Sequence, residues 1–335
     1  MIKLIMNIKH INLKRIFSIV FSMLFLTACD APRNNPLDVH NSGRKFGTLT
    51  GRVQSISLPR RPLQGVQVYC RQDNLMIKTD AQGYFEFNSI IPRDDWIFFY
   101  HDGYHNDSLY IDWNGDKNLS KEIFLNAKPV LDSLVFYSSI TNRYPDIQIL
   151  ELYIQAGIED ADNDIDSVFF NSPELDFSSL LVYDTIEKFY EKKRITMTQL
   201  GVTAAEEIIG RSFNIEVKDH FDHLVNVRQV QIQRIIRDEV ELKSPAGHET
   251  VSPSPILRWE PVTPGYSFTY LVEVRTDETD PQLVWQKSGL ASGSSFVEVD
   301  MVLPSVPLNN YIWAVWIIDN FGNRARSKYK SFQVE

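Results

Sequence analysis

Four stretches of this chain alternate apolar and polar side chains with a period of two, and that pattern admits few folds. Val66, Val68 and Cys70 are interleaved with Gln67, Tyr69 and Arg71. Leu150, Leu152 and Ile154 stand against Glu151, Tyr153 and Gln155, and Phe213, Ile215 and Val217 against Asn214, Glu216 and Lys218. Phe268, Tyr270, Val272 and Val274 alternate with Thr269, Leu271, Glu273 and Arg275. Residues two apart share one face of a strand, so each stretch is a strand with one side buried. Turn signals punctuate the pattern, as at Thr79-Asp80-Ala81-Gln82-Gly83 and Asp102-Gly103. Strands with one apolar face must bury it against a second layer. The expectation is an all-β chain of three tandem β-sandwich domains, following a signal peptide and a flexible tether. A chain of 335 residues with 43% hydrophobic content has room for three units of about 100 residues each. They are drawn at 47–126, 127–237 and 238–335.

Residues 1–15 carry Lys3, Lys9, Lys14 and Arg15 and no acid, and Ile16–Leu26 is apolar apart from two serines. Those eleven residues reach about 17 Å as a helix, against a hydrocarbon core of roughly 30 Å. The segment 1–28 therefore reads as an export signal and not as a membrane span. Removing its four bases takes the net charge from −9 to −13. So acidic a chain excludes general nucleic-acid binding, which needs a basic surface. Two cysteines exclude a disulfide framework.

The sequence Leu26-Thr27-Ala28-Cys29 resembles the lipobox of bacterial lipoproteins. That resemblance implies cleavage before Cys29, diacylglyceryl modification of its thiol and acylation of the new amino terminus. More than one acyl chain is needed, because a single short chain holds a protein only marginally. The protein is then extracytoplasmic and lipid-anchored to a bacterial membrane, on the periplasmic face or the cell surface. Asp30 resembles an inner-membrane retention signal of enterobacteria, a rule that differs among bacterial groups, so inner and outer membrane both stay open. Residues 29–46, rich in Pro and Asn, read as the lipidated cysteine and a tether reaching roughly 20–25 Å.

The first unit holds Gly51-Arg52-Val53, Pro62-Leu63-Gln64-Gly65-Val66, Thr79-Asp80 to Gly83-Tyr84-Phe85, and Gly103-Tyr104. This order of pieces resembles the carboxypeptidase regulatory-like (transthyretin-like) sandwich. The likeness implies a fold more than a function, since such domains accompany peptidases, transporters and adhesins. Cys70 shares a face with Val66 and Val68 and is expected to be buried and inert. The second unit is similar to bacterial immunoglobulin-like domains. Within it Thr203-Ala204-Ala205-Glu206 has capping-box spacing and predicts a short helical turn before Gly210, while Ile186–Arg194 fits a helix or a strand. The third unit resembles a fibronectin type III-like domain through Ser252-Pro253-Ser254-Pro255, Trp259 and the late apolar strand Tyr311–Ile318. Val217-Lys-Asp219-His-Phe221-Asp-His223 echoes Ile317-Ile-Asp319-Asn-Phe321-Gly-Asn323. Both read as the tight turn joining the last two strands of their unit.

Candidate chemistry is sparse. Asp160, Asp162, Asp164 and Asp166 alternate in one loop and can be read as hard oxygen ligands converging on Ca²⁺ or as a solvated acidic turn. The run is no EF-hand, because Ile165 and Asn171 stand where Gly and Glu are needed. Asp112-Trp113-Asn114-Gly115-Asp116-Lys117-Asn118 is a second such run, open to the same calcium reading, and its Asn-Gly pair predicts a hairpin. His101 and His105 flank Gly103 and lack the glutamate of a zinc helix motif, and Asp219, His220, Asp222 and His223 fall in a predicted turn. Neither a nucleophile elbow nor a phosphate-cradling loop occurs, so the chain is read as no enzyme and as needing no cofactor, calcium apart. Among the first unit's aromatics (Trp96, Phe98, Tyr100, Tyr104, Tyr110, Trp113), most are assigned to the core. Trp113, just before the Asn-Gly turn, is the one expected to be exposed and available to a sugar ring. The functional expectation is a non-catalytic envelope lipoprotein presenting sandwich surfaces for protein binding, adhesion or complex assembly. The alternative is a carbohydrate-binding accessory lipoprotein of a polysaccharide-uptake system. Partners are the membrane, through the anchor, and an envelope protein or a glycan, with no nucleic acid.

Overall fold

Extended backbone dominates, as the period-two alternation requires. Among the described residues the helical segments are single 3-10 turns at Pro173–Leu175 and Ala205–Ile208, and no helix is long and apolar enough to cross a membrane. The computed structural model describes residues 45–247, 249–306 and 310–335. Cys29, the leader and nearly all of the tether lie outside the described residues. The chain divides into two compact units, one ending at Ala127 and one spanning Lys128–Glu335.

The first unit consists of β1 (Gly47–Ser55), β2 (Gln67–Cys70), β3 (Leu75–Lys78), β4 (Tyr84–Ile90), β5 (Asp95–Tyr100), β6 (Asp107–Ile111) and β7 (Asn118–Leu125). They form two sheets, β4-β1-β7 and β3-β2-β5-β6, with β1 and β7 parallel. Leu49, Val53, Phe85 and Phe87 from one sheet meet Val68, Cys70, Ile97 and Phe99 from the other. The rings of Phe85 and Phe99 meet across the layers at 6.0 Å. Gly51 in the middle strand is required by close approach: a Cβ there would lie 2.5 Å from the Phe85 ring and 2.7 Å from the Lys121 carbonyl. Cys70 is buried and unbridged, and burial pushes its thiol up, away from the reactive thiolate.

The Asn114-Gly115 turn differs from the hairpin expected of it. Both residues have positive φ, 43° and 82°, as the pair favours. Yet β6 pairs with β5 and β7 pairs with β1, so the turn carries the chain from one sheet to the other.

The second unit opens with the longest strands, β8 (Val130–Arg143) and β9 (Ile147–Glu159), followed by β10 (Ile165–Ser172), β11 (Phe177–Leu180), β12 (Val182–Asp184) and β13 (Phe189–Thr196). β14 (Ser212–Asp219) and β15 (Leu224–Gln231) complete its first sandwich. The layer β12-β13-β9-β8 faces β11-β10-β14-β15, and Phe136 of β8 meets Phe170 at 5.3 Å and Phe213 at 5.5 Å across the gap. Ile186–Arg194 resolves into a turn and most of β13, a strand. In the predicted cap the acceptor is Glu207, one residue later than Glu206. Its Oε1 accepts from the backbone N–H groups of Thr203 (3.0 Å) and Ala204 (2.7 Å). Glu206 pairs instead with Arg237 at 2.7 Å.

The second sandwich is built from β16 (Leu242–Ser244), β17 (Glu249–Val251), β18 (Ile256–Trp259), β19 (Phe268–Thr276), β20 (Leu283–Ala291), β21 (Phe296–Glu298), β22 (Asn310–Asp319), β23 (Arg324–Arg326) and β24 (Lys330–Val334). Trp259 of the β16-β18-β21 layer packs edge-on against Tyr270 of β19 at 5.4 Å. Tyr270, Tyr311 and Trp313 are fully buried, as the apolar late strand implies.

The two stretches are tandem sandwiches, but the boundary at 237/238 does not separate them. β23 pairs antiparallel with β22 and parallel with β8, which joins one layer of each sandwich into a single ten-stranded sheet. The apolar core likewise runs unbroken from Ile140 to Val334. Side chains pin the seam. Asn323 Oδ1 accepts from the N–H and the hydroxyl of Ser138 at 2.9 and 3.0 Å, and Asn142 Nδ2 donates to the Arg326 carbonyl at 2.9 Å.

The sequence echo is a structural one. Asp219 Oδ1 accepts from the N–H groups of Phe221 and His223, both at 2.8 Å. Asp319 Oδ1 accepts from Phe321 and Asn323 at 2.9 and 3.0 Å. Asp222 and Gly322, with φ of 66° and 87°, occupy the left-handed position in each turn.

Candidate functional site

Strand phase decides which aromatics of the first unit face water. In β5, Ile97 and Phe99 point into the core, so Trp96, Phe98 and Tyr100 project from the opposite face of the β3-β2-β5-β6 sheet. Register then gathers their neighbours. Tyr69 stands across from Phe98 and Met76 across from Tyr69, while Tyr110 stands across from Trp96. Trp96 is 42% exposed, Tyr110 49% and Met76 54%. Cross-strand contacts organise the patch: Trp96 and Tyr110 meet at 5.4 Å with 66° between their planes, and Tyr69 and Phe98 at 6.3 Å with 33°.

Polar groups fix the rim. Arg71 forms an ion pair with Asp95 beside Trp96, and that guanidinium holds the Asp95 carboxyl below the usual range. The Tyr69 hydroxyl donates to Asn74 Oδ1 at 3.3 Å. Exposed tryptophan and tyrosine on a regular sheet suit the centre of an interface, where amphipathic rings contribute most. Because the two exposed rings are steeply inclined, they offer no continuous flat surface.

Trp113 is corrected. It is 4% exposed and belongs to the core. Its backbone N–H donates to Asp94 Oδ1 at 2.8 Å, and its ring lies where a Cβ on Gly47 would approach to 2.8 Å. A side chain so enclosed offers no ring face to a sugar. The exposed tryptophan of this unit is therefore on β5, paired with Tyr110 of β6, and not at the Asn-Gly turn.

The acidic run between β9 and β10 is closed by its own hydrogen bonds. Asp160 accepts from the N–H of Asp162 at 3.3 Å through Oδ1 and from that of Asp164 at 2.9 Å through Oδ2. Asp166 accepts from the Ser167 hydroxyl at 3.0 Å. The Asp164 carbonyl accepts from His220 N–H at 2.9 Å, so the loop lies beside the Asp219 turn. Asp112 performs the same turn-closing role for Asn114 at 2.9 Å. The ring of His101 sits against the carbonyls of Asp102 (2.8 Å) and Gln64 (3.0 Å), a loop-fixing arrangement.

Asp219 is buried and bonded to His223 Nδ1 at 2.8 Å. Desolvation opposes its ionisation, but the His223 ring and two backbone donors outweigh that and hold its carboxyl below the usual range.

No protein-family model matches the chain, and no curated protein matches it in sequence. Among solved structures it is similar to the FN1–FN3 domains of chicken CNTN1, with 11% identity over 82% of this chain and 92% of that one and a TM-score of 0.31. The fibronectin(III)-like modules of Clostridium thermocellum CbhA share 12% identity over 62% of this chain and 93% of theirs, with a TM-score of 0.27. BcpA, the major pilin subunit of Bacillus cereus, shares 8% identity over 83% of this chain and 91% of that one, with a TM-score of 0.24. Overlaps this slight carry no function across.

Proposed function

We propose that the chain is a lipid-anchored, extracytoplasmic, non-catalytic protein that binds a protein of the cell envelope through the outer aromatic face of its first sandwich. The observation that carries this reading is the exposed Trp96–Tyr110 pair, backed by Phe98, Tyr69 and Met76, on a sheet whose other face is core. Leaving such rings in water forgoes about 1.5–3 kcal/mol of burial for a large apolar side chain, which a partner recovers. Lipidation of Cys29 rests on the lipobox resemblance, and the acidic tether-borne chain on the membrane surface follows from it.

A photo-crosslinking residue at position 96 in the full-length lipoprotein tests the interface. A discrete crosslinked envelope protein, absent when the probe is moved to Tyr84 on the other sheet and weakened by Tyr110→Ala, supports the reading; no adduct at 96 overturns it. Mass spectrometry of Cys29 tests the anchor, and hydrolytic turnover by the purified protein would contradict the non-catalytic assignment. The carbohydrate-binding alternative draws on the same exposed rings. The 66° inclination of Trp96 to Tyr110 counts against it, since sugar stacking across both rings needs a common plane. Glycan-array binding lost on Trp96→Ala would reverse that preference.

A further inference from the structure

On the outward face of the ten-stranded sheet, beside the seam, lies a pocket that buries more positive charge than it neutralises. Its floor is Glu273 and Arg275 of β19, Trp316 of β22 and Arg326 of β23, and its rim includes Arg143 and Tyr144. Register places them together: Trp316 stands across from Arg326, and Arg326 across from Thr141 of β8.

The one buried carboxylate is fully engaged. Glu273 Oε2 accepts from Arg275 Nη2 at 3.1 Å, and its Oε1 accepts from the Tyr329 hydroxyl at 3.2 Å. Arg275 also donates to the Pro281 carbonyl at 3.2 Å. Arg326 is left with partial compensation. Its Nη1 donates to the Tyr329 hydroxyl at 2.6 Å, and its guanidinium lies 3.9 Å from the Tyr329 ring centre and 5.8 Å from that of Trp316. Its Nε is shut from solvent with no acceptor, and among the described residues no carboxylate lies within 4.0 Å of it. Burial pushes the guanidinium below its ordinary range, and the opposing pull of Tyr329 and Glu273, countered by Arg143 and Arg275, does not restore it. A half-buried cation whose nearest carboxylate, Glu273, is bonded to Arg275 and reached only through the Tyr329 hydroxyl is an incomplete arrangement, and an anion entering from the open side completes it.

The geometry also constrains the anion. Three arginines against Glu273 and the exposed Asp280 leave one net positive charge, which matches a carboxylate better than a phosphate dianion. Trp316 lines the pocket and Tyr144, 64% exposed, stands at its rim; aromatic rings beside that charge suit the C–H face of a pyranose. We propose that this pocket binds the carboxylate of an acidic sugar of the hexuronic class. The site is in the second unit, independent of the aromatic interface of the first, and stands or falls separately.

Calorimetric titration of the full-length protein with glucuronate, glucose, N-acetylglycine and inorganic phosphate tests it. Glucuronate is expected to bind at least tenfold more tightly than each of the other three and to quench tryptophan fluorescence, with Trp316→Phe removing that quenching. Arg326→Gln should abolish binding. Arg143→Gln, at an exposed position, should weaken it several-fold with an unchanged thermal midpoint, so that a folding defect in the first variant leaves the test intact. Absence of glucuronate binding at millimolar concentration overturns the proposal. So does glucose binding as tightly, tighter binding of N-acetylglycine or phosphate, or an Arg143→Gln variant that binds normally.

Discussion

The two faces of the β3-β2-β5-β6 sheet are built from the same kinds of residue and have opposite fates. Ile97 and Phe99 disappear into the core, while Trp96, Phe98 and Tyr100, alternating with them along one strand, face outward. Hydrophobicity alone would bury all five. What separates them is the existence of a second layer on one side, supplied by Phe85 and Phe87, and its absence from the other among the residues of that unit. The lesson is that an apolar run identifies a strand, but only its cross-sheet partners identify its inside.

Substitutions can break that contrast directly. The largest effect is expected from Phe99→Ala and Trp113→Ala, which empty the core and should cost about 3–5 kcal/mol, read as a shift in urea midpoint of the first unit's transition. If Trp113→Ala is silent, the ring is not where the contrast requires. Next comes Asp319→Ala, expected to cost about 2–3 kcal/mol because Asn323 N–H is buried and loses its acceptor. Asp219→Ala should cost less, about 1–2 kcal/mol, since its turn is more exposed. The Asp219 carboxyl is depressed in the folded state, so its contribution is present above the ordinary carboxylate range, about pH 4, and is lost as pH falls further. Asp219→Asn should flatten that part of the acid-unfolding curve, measured by fluorescence. The smallest effect on stability belongs to the outer face. Trp96→Ala should change the midpoint by no more than about 0.5–1 kcal/mol while removing the partner captured by a photo-probe at Met76, which sharpens the division between a structural and a recognition face.

Much of the architecture was legible from pattern. Every residue assigned to the apolar face of the four alternating stretches is at most 8% exposed, because a half-buried strand writes its burial into its sequence. The Asp219 and Asp319 turns were legible too, since a short carboxylate followed by a residue suited to left-handed backbone has few other uses. Trp113 departs from its sequence expectation because proximity to an Asn-Gly pair is not proximity to water. The turn crosses between layers, and its first residue is drawn inward. The seam carried no local signal: Arg324–Arg326 is three residues long, flanked by charge, and pairs with a strand about 185 positions earlier. The outward direction of Trp96, Phe98 and Tyr100 was equally hidden, because an unbroken apolar run has no polar phase to read.

The short strand β23 has a consequence for how this protein can be divided. A gene fragment stopped at residue 237 would leave the central part of β8 without its neighbour, an open hydrogen-bonding edge that invites other chains to add to it. A fragment begun at 238 would lack the serine and asparagine that clasp Asn323 and Arg326. Shuffling either half into another protein as a free-standing module should yield sticky, poorly soluble material, so the two halves are constrained to be inherited and expressed together.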